Sequence, residues 1–484
     1  MLTPLHDHLD APRGRGRLAG APHTGTAGGA ACGDLVRVSV RIEGERVAEA
    51  GFDALGCGAV QAAGSAVVEL VQDAHVLDAA GVSTRAVADA LGGLSPGKLH
   101  AAELAADALH AALGRAAADG AMRLEPNPNR TLVAMSGGVD SAVAAHLALD
   151  RGDETVAVTL ELWADPGTDG TASCCSPQAV SGARALAHRM GIPHVTLDLR
   201  EDFRRHVVDD FVQEYDAGRT PNPCVRCNGL VRFDRMLELA DSIGAARLAT
   251  GHYARVARDG GGSALVRAAA DDRKDQSYML ARLRPESLEH VWFPLGELTK
   301  PEVREVARAA GLPVADKPES QDLCFLAGSD REDFLQRHDG PAQPGELVDE
   351  HGRELGRHDG QRRFTVGQRR GIGVAAREPL YVLKKDAETG RVVVGPRRSL
   401  ETRRVRLAPA TLLRDGTDVD RVKLRYRSRP VACRVDGEAA PGTHEGLTLT
   451  LANAVEGVAP GQTACLLRGD RVLGWATIAD GGEA

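Results

Sequence analysis

Thr131-Leu-Val-Ala-Met-Ser-Gly-Gly-Val-Asp-Ser141 is a short apolar run that breaks at Ser-Gly-Gly and resumes with helical spacing. The pattern predicts a strand, a tight loop and a helix. Gly137 and Gly138 let backbone N–H groups come close to phosphate oxygens, Ser136 and Ser141 add hydroxyl donors, and the following helix presents its positive end. The loop lacks the lysine of GxxxxGK[ST] that serves γ-phosphoryl transfer, so the expected chemistry is loss of pyrophosphate with transfer of AMP to an oxygen. Asp140 is placed to hold Mg²⁺ against those phosphates, because hard cations take carboxylate and phosphate oxygens.

Outward from this loop the chain alternates strand and helix: a strand up to 135, a helix at 141–150, a strand at 154–162, a helix at 177–190 and a strand at 194–199. A helix at 230–243, a strand at 247–250 and a helix at 300–310 continue it. Such alternation predicts a parallel sheet covered on both faces, with ligands beyond the carboxyl ends of its strands, where Ser136 and Leu160 fall. Ahead of it lie a period-two hairpin, 35–42 with 46–55, and helical patterns at 59–72, 82–91 and 99–118. Residues up to about 29 show no sustained period and read as irregular. Glu125-Pro-Asn-Pro-Asn129 reads as a linker, since its prolines cannot extend a helix. After residue 325 short β-like runs at 380–384, 391–394, 422–426 and 447–451 predict all-β domains ending in a barrel. The expected fold class is therefore multidomain α/β. A small α+β module spans 1–120, a linker 121–129, a parallel-sheet adenylylating domain 130–325, a central β-rich domain 326–402 and a C-terminal β-barrel 403–484.

With 484 residues the chain exceeds one ordinary core. Its formal net charge is −8, yet residues 361–430 hold 19 Lys and Arg against 7 Asp and Glu. A basic segment in an acidic protein suits a polyanionic partner; a solvated Arg-rich face is the plainer alternative. There is no apolar run of about 18 residues and no basic, apolar leader at the start, so the expectation is a cytoplasmic protein with no membrane partner. Nine cysteines in a reducing compartment point to catalysis or metal binding more than to disulfides.

Gly218-Arg-Thr-Pro-Asn-Pro-Cys-Val-Arg-Cys-Asn228 is a proline-stiffened loop whose Cys224-x-x-Cys227 spacing lets two sulfurs share a metal or a disulfide. Cys174-Cys175 offers the other half of a structural zinc site. Ser320-Gln-Asp-Leu-Cys-Phe325 places Cys324 in a further loop. An adenylylating site combined with loop cysteines implies sulfur transfer. His252 reads equally as a charge stabiliser or a satisfied loop histidine, and Lys274, in a Lys-Asp-Gln-Ser run, offers a charge to phosphate.

On these motifs residues 130–484 resemble the bacterial tRNA-specific 2-thiouridylases, which thiolate the wobble uridine. Ser136-Gly-Gly-Val-Asp-Ser141, Gly218-Arg-Thr-Pro-Asn-Pro223 with Cys227-Asn228, Ala249-Thr-Gly-His-Tyr253, Lys274-Asp-Gln-Ser-Tyr278, Cys324-Phe325 and Thr365-Val-Gly-Gln-Arg-Arg-Gly371 follow in the family's order. The resemblance implies a PP-loop enzyme in which Cys324 carries a persulfide and Cys227 is the nucleophile that resolves it. It implies that Ala134, Met135, Ser136, Gly137, Gly138, Val139, Asp140, Ser141, Leu160 and Gly251 contact ATP. Asn222, Pro223, Cys224, Lys274, Asp275 and Gln276 would surround the target base, and Arg425 and Tyr426 would touch tRNA. One departure stands out: many members carry aspartate where this chain has Cys224. That residue is either a substitute acid or base, or, with Cys227 and Cys324, a ligand of an iron–sulfur cluster.

Residues 16–118 resemble the U-type iron–sulfur scaffold proteins through Ala31-Cys-Gly-Asp34, Gly56-Cys-Gly58 and Lys98-Leu-His100. The resemblance implies a zinc or cluster site on Cys32, Asp34, Cys57 and His100, with Ala101 standing where a third cysteine is usual. The module would hold Zn²⁺ or dock a cysteine desulfurase or other sulfur-relay donor. Two other readings remain at this level, cluster-dependent thiolation and an iron–sulfur assembly or carrier protein.

Overall fold

In the computed structural model the described residues are 3–16, 18, 20–29, 33–164, 176–318, 323–326 and 328–480. The chain divides into two compact units, Met1–Arg200 with Asp234–His252 and His290–Cys324, and Glu201–Phe233 with Tyr253–Glu289 and Phe325–Ala484.

The first unit opens with a three-stranded antiparallel sheet ordered His23–Gly28, Leu35–Glu43, Arg46–Leu55. Alternation in Leu35–Glu43 puts Val36, Val38 and Val40 wholly inside. The strand His23–Gly28 corrects the irregular reading of the first residues. Thr-Gly-Thr-Ala-Gly carries no apolar alternation because the helix Leu99–Ala118 lies directly on it: a Cβ on Gly25 would stand 2.0 Å from the Ala108 carbonyl oxygen. Helices Gly58–Val71 and Thr84–Ala90 complete the module. The proline-rich stretch is also more ordered than a linker. Leu124 N–H bonds the Ser242 carbonyl at 3.0 Å, Glu125 N–H bonds Glu45 at 2.8 Å, and the next strand already begins at Asn127.

That strand, Asn127–Ala134, is the centre of a parallel sheet ordered Val291–Trp292, Ala245–Thr250, Asn127–Ala134, Glu154–Glu161, His194–Asp198. Leu132, Val133, Val156, Ala157 and Val158 are fully or nearly fully buried, as a sheet with both faces covered requires. Its outer strand His194–Asp198 is covered by the helix Leu99–Ala118, which comes so close that a Cβ on Gly114 would lie 2.2 Å from the Thr196 carbonyl oxygen.

The second unit is mainly β. A four-stranded sheet runs Glu354–His358, Gly345–Val348, Arg391–Gly395, Tyr381–Asp386. The last segment closes as a barrel, because Glu401–Leu412 pairs on one side with Leu447–Glu456 and on the other with Arg471–Ile478. Leu407, Ala410, Leu449, Leu466 and Ala476 fill it. A hairpin from the middle of the chain, Ala254–Arg258 with Ala264–Ala268, adds to the strand Arg471–Ile478. The run at 422–426 is strand only through Arg421–Lys423, so Arg425 and Tyr426 stand in the following turn. No described helix is long and apolar enough to cross a membrane.

Candidate functional site

The phosphate loop is shaped by its own side chains. Gly137 takes φ +68°, Ser136 N–H donates to Ser141 Oγ at 3.1 Å, and the Ser141 hydroxyl donates to the Gly138 carbonyl at 3.1 Å. The helix Val139–Asp150 starts from Gly138 with no side-chain cap, an uncapped helix end of the kind that suits an anion. Met135 and Val139 are buried beneath the loop while Ser136 is exposed, and Ala134 and Leu160 are half-buried at the ends of neighbouring strands. Gly251 has to be glycine: a Cβ there would stand 2.8 Å from Ser141 N.

Two lysines absent from the sequence reading converge on the loop. Lys300 Nζ lies 2.6 Å from Asp140 Oδ1, and Lys317 Nζ donates to the Gly137 carbonyl at 2.9 Å. Lys300 is only 8% exposed and occupies the first turn of the helix Lys300–Ala309, the positive end, where a cation is electrostatically unfavourable. That misplacement was the signal available in the sequence. Asp140, expected to hold Mg²⁺, is therefore ion-paired here. Loop amides, a helix end and two ammonium groups together suit a polyphosphate with a leaving pyrophosphate.

In the second unit Asn222 caps the short helix Pro223–Cys227, its side-chain oxygen accepting from Val225 N–H at 3.2 Å. The phenol of Tyr278 also hydrogen-bonds Asn222 and donates to the Thr463 carbonyl at 2.8 Å. Barrel residues hold the approach to this helix: Thr220 N–H reaches the Pro460 carbonyl at 2.8 Å, and Gln462 donates to the Thr220 carbonyl at 2.8 Å. Pro223 is buried, Cys224 is half-buried and Cys227 is 5% exposed. Directly after Cys227 the helix widens into an i→i+5 turn, Asn228–Arg232, a form common at working sites. Gly229 there lies against Arg282, which stacks on Trp475 at 3.9 Å and is pulled down to about 10 by burial and by Arg226.

The Lys274-Asp-Gln run divides in role. Asp275 accepts from Ala269 N–H at 3.2 Å and from the Ser277 hydroxyl at 2.9 Å, and pairs with Lys423 at 3.4 Å, so its carboxylate holds the turn. Gln276 exchanges bonds with Tyr253, accepting from its N–H at 2.9 Å and donating its own N–H to the Tyr253 carbonyl at 2.8 Å. Lys274, which precedes them, is half-buried. His252 Nδ1 lies 2.9 Å from Thr250 Oγ1, a side-chain hydrogen-bond partner. Arg425 donates to the carbonyls of Gly457 and Val366, and Tyr426 packs 6.1 Å from Tyr278. Cys324 is half-buried and followed at once by Phe325, 1% exposed. Cys32, Cys174, Cys175 and residues 319–322 lie outside the described residues.

In the N-terminal module the ligand atoms of Asp34, Cys57 and His100 lie within 4.8 Å of one another. Asp34 Oδ2 is 3.1 Å from His100 Nε2 and 3.8 Å from Cys57 Sγ, while Asp34 Oδ1 accepts from Cys57 N–H at 3.2 Å. Gly56, at φ +141°, makes room, for a Cβ would stand 2.1 Å from that Oδ1. Ala101 is wholly buried and offers no ligand. One thiol, one imidazole and one carboxylate fit a zinc-like ion with three protein donors.

Residues 3–118 match the family described as NifU-like N terminal domain, 129–328 the tRNA methyl transferase HUP domain, 332–396 the tRNA methyl transferase PRC-barrel domain and 411–478 the aminomethyltransferase beta-barrel domain. A protein of Rubrobacter xylanophilus named bifunctional protein NifU/MnmA is 46% identical over 98% of this chain and 97% of its own. The chain belongs to the bifunctional NifU/MnmA family. Proteins named tRNA-specific 2-thiouridylase MnmA match the later part alone. The one from Geobacter metallireducens is 43% identical over 72% of this chain and 96% of its own, and the one from a Methylobacterium species 46% over 73% and 95%. NifU/MnmA membership assigns the Asp34, Cys57 and His100 group to the NifU-like domain and the phosphate loop to the HUP domain, with Arg425 in the barrel.

Proposed function

We propose that this chain catalyses ATP-dependent 2-thiolation of the wobble uridine of tRNA. The C2 oxygen of uridine is a poor leaving group, so it is first joined to AMP, and pyrophosphate departs against the loop amides, Lys300 and Lys317. Asp140 would take Mg²⁺ in company with the phosphates. The terminal sulfur of a Cys324 persulfide then attacks C2 and AMP leaves. The Cys227 thiolate attacks the remaining S–S bond at Cys324, freeing the 2-thiouridine and leaving a Cys227–Cys324 disulfide that an external dithiol reduces. Asn222, Pro223, Cys224, Lys274 and Gln276 line the base side, with Asp275 fixing their turn. The sulfur comes from a desulfurase or relay protein. A metal on Asp34, Cys57 and His100 would serve the N-terminal domain, where it can hold a sulfur ligand.

The observation that carries this reading is the pairing, in one chain, of a lysine-flanked pyrophosphate loop with Cys227 on an Asn222-capped helix. The Cys324→Ser enzyme should release pyrophosphate on addition of tRNA and form no 2-thiouridine, as read by nucleoside mass analysis. Undiminished 2-thiouridine from that variant would remove the assignment.

A further inference from the structure

The two sulfur-handling cysteines are far apart in sequence, and transfer between them requires that each be held to a shared frame. Residues 203–216 supply one. Phe203, Val207 and Phe211 recur at every fourth position and are each 1% exposed. Phe325, the residue bonded to Cys324, is packed by this face: its ring centroid is 5.0 Å from Phe211, edge on, and 5.9 Å from Phe203, with Phe334 closing the box at 5.1 Å. Aromatic pairs at these distances add directional attraction to simple burial.

The adjoining face of the same segment holds the other cysteine's helix. Arg226, between Cys224 and Cys227, donates its Nε–H to the His206 carbonyl and pairs with Asp210 at 3.2 Å. The His206 carbonyl falls within an i→i+5 turn, Arg204–Val208, where the wider coil turns carbonyls outward. One stretch of helix thus grips the neighbour of Cys324 by aromatic packing and the neighbour of Cys227 by a charged fork.

We propose that residues 203–216 are a common mount that sets the approach of the two cysteines, with Phe325 and Arg226 as positioning residues for sulfur transfer. The inference rests on the proposed thiolation and adds to it: the contacts of Phe325 and Arg226 given above are to residues 203–211 and 334, so their loss is expected to separate activation from transfer. An error of about 1 Å in such an approach costs on the order of 100-fold in rate.

The test uses the full-length chain with tRNA, ATP, cysteine and a cysteine desulfurase as sulfur source. Phe325→Leu keeps an apolar residue but loses the ring. It should slow 2-thiouridine formation at least about tenfold and leave tRNA-dependent pyrophosphate release within about twofold. Phe325→Tyr should restore transfer, and Arg226→Gln should reproduce the split from the other side. A second readout needs no sulfur donor: under a mild thiol oxidant the Cys227–Cys324 disulfide, mapped by mass spectrometry, should form correspondingly more slowly in Phe325→Leu and Arg226→Gln. Should Phe325→Leu fail to fold, Arg226→Gln decides alone. Transfer at wild-type rate in either folded variant, or an equal loss of pyrophosphate release and transfer, overturns the mount. A wild-type chain that releases pyrophosphate yet makes neither 2-thiouridine nor the disulfide overturns the thiolation reading itself.

Discussion

Lys300 shows how much a single residue can hold. Its helix begins with a Thr299 and Glu302 capping box that already satisfies the helix end, so the lysine contributes nothing to capping and sits against the helix dipole. Nearly buried, it is retained by Asp140 at 2.6 Å, a pairing that can be exchanged for a phosphate when one enters. Lys300→Met should lower tRNA-stimulated pyrophosphate release about 10- to 100-fold, the worth of one charge-assisted contact at about 1.5–3 kcal/mol. Unchanged pyrophosphate kinetics at saturating ATP would show that the ammonium serves Asp140 alone. Arg425 combines a structural contact with exposure. It is exposed, and one terminal nitrogen of its guanidinium donates to the Gly457 and Val366 carbonyls, which leaves its other N–H donors to the surface. Those two bonds tie its own turn to the turns at Val366 and Gly457.

Among the elements, the contact of the helix Leu99–Ala118 with the parallel sheet is set by close approach and by three histidines. His110 Nε2 bonds the Val82 carbonyl at 2.8 Å, His188 Nε2 the Ala80 carbonyl at 3.1 Å, and His194 Nε2 the Thr159 hydroxyl at 2.8 Å. His110 and His188 rings are 5.2 Å apart, and Asp107 pairs with Arg184 beside them. The Nδ1 atoms of His110 and His194 are buried without a partner, which matches neutral rings protonated at Nε2. Burial holds both rings far below the ordinary imidazole range, with Arg184 and the neighbouring histidines adding to it. The folded state thus resists protonation that the unfolded chain accepts. Stability is complete above the ordinary value of about 6.5 and is lost as pH falls below it, by up to about 1.4 kcal/mol per pH unit for each fully buried ring. Melting of the full chain should be flat from about pH 8 to 7 and decline below about 6.5, and His110→Gln should decline less steeply. A wild-type melting temperature independent of pH across that range would contradict neutral burial.

At the scale of the whole molecule an acidic chain, net −8, carries a basic segment at 361–430 that suits a polyanion. Arg425 ties the turn at 365–371 to its own turn, and both carry exposed arginines, Arg369 and Arg370 on one, Arg427 and Arg429 on the other. No ion pair is recorded for these four among the described residues, whereas most arginines elsewhere are matched by carboxylates. Replacing Arg369 and Arg370 by alanine should weaken tRNA binding and lower the slope of log affinity against log salt by about one per arginine, with ATP affinity unaltered. A salt slope equal to that of the wild type would take tRNA off this face. The N-terminal module is likewise more than a tethered passenger, since its long helix covers the edge strand His194–Asp198 and its connection to the sheet is anchored by hydrogen bonds at Leu124, Glu125 and Asn127.

Local signals in the chain were enough for the elements whose reasons are local. The phosphate loop, the hairpin 35–55 and the helix Leu99–Ala118 were legible because glycine conformation, period-two burial and helical spacing act over a few residues. The cysteines and the loop glycines stand out in the sequence as candidates because their chemistry is carried by residue type. What the sequence could not show is whatever depends on a neighbour remote in the chain. His23–Gly28 is a strand because a helix more than 70 residues later lies on Gly25. Lys300 and Lys317 meet a loop 160 and 180 residues before them, and the strand expected at 422–426 stops at Lys423, where its pairing with the strand Thr463–Arg468 ends at Cys465. Such placements cost chain entropy that only the assembled core repays, so no window of sequence contains them.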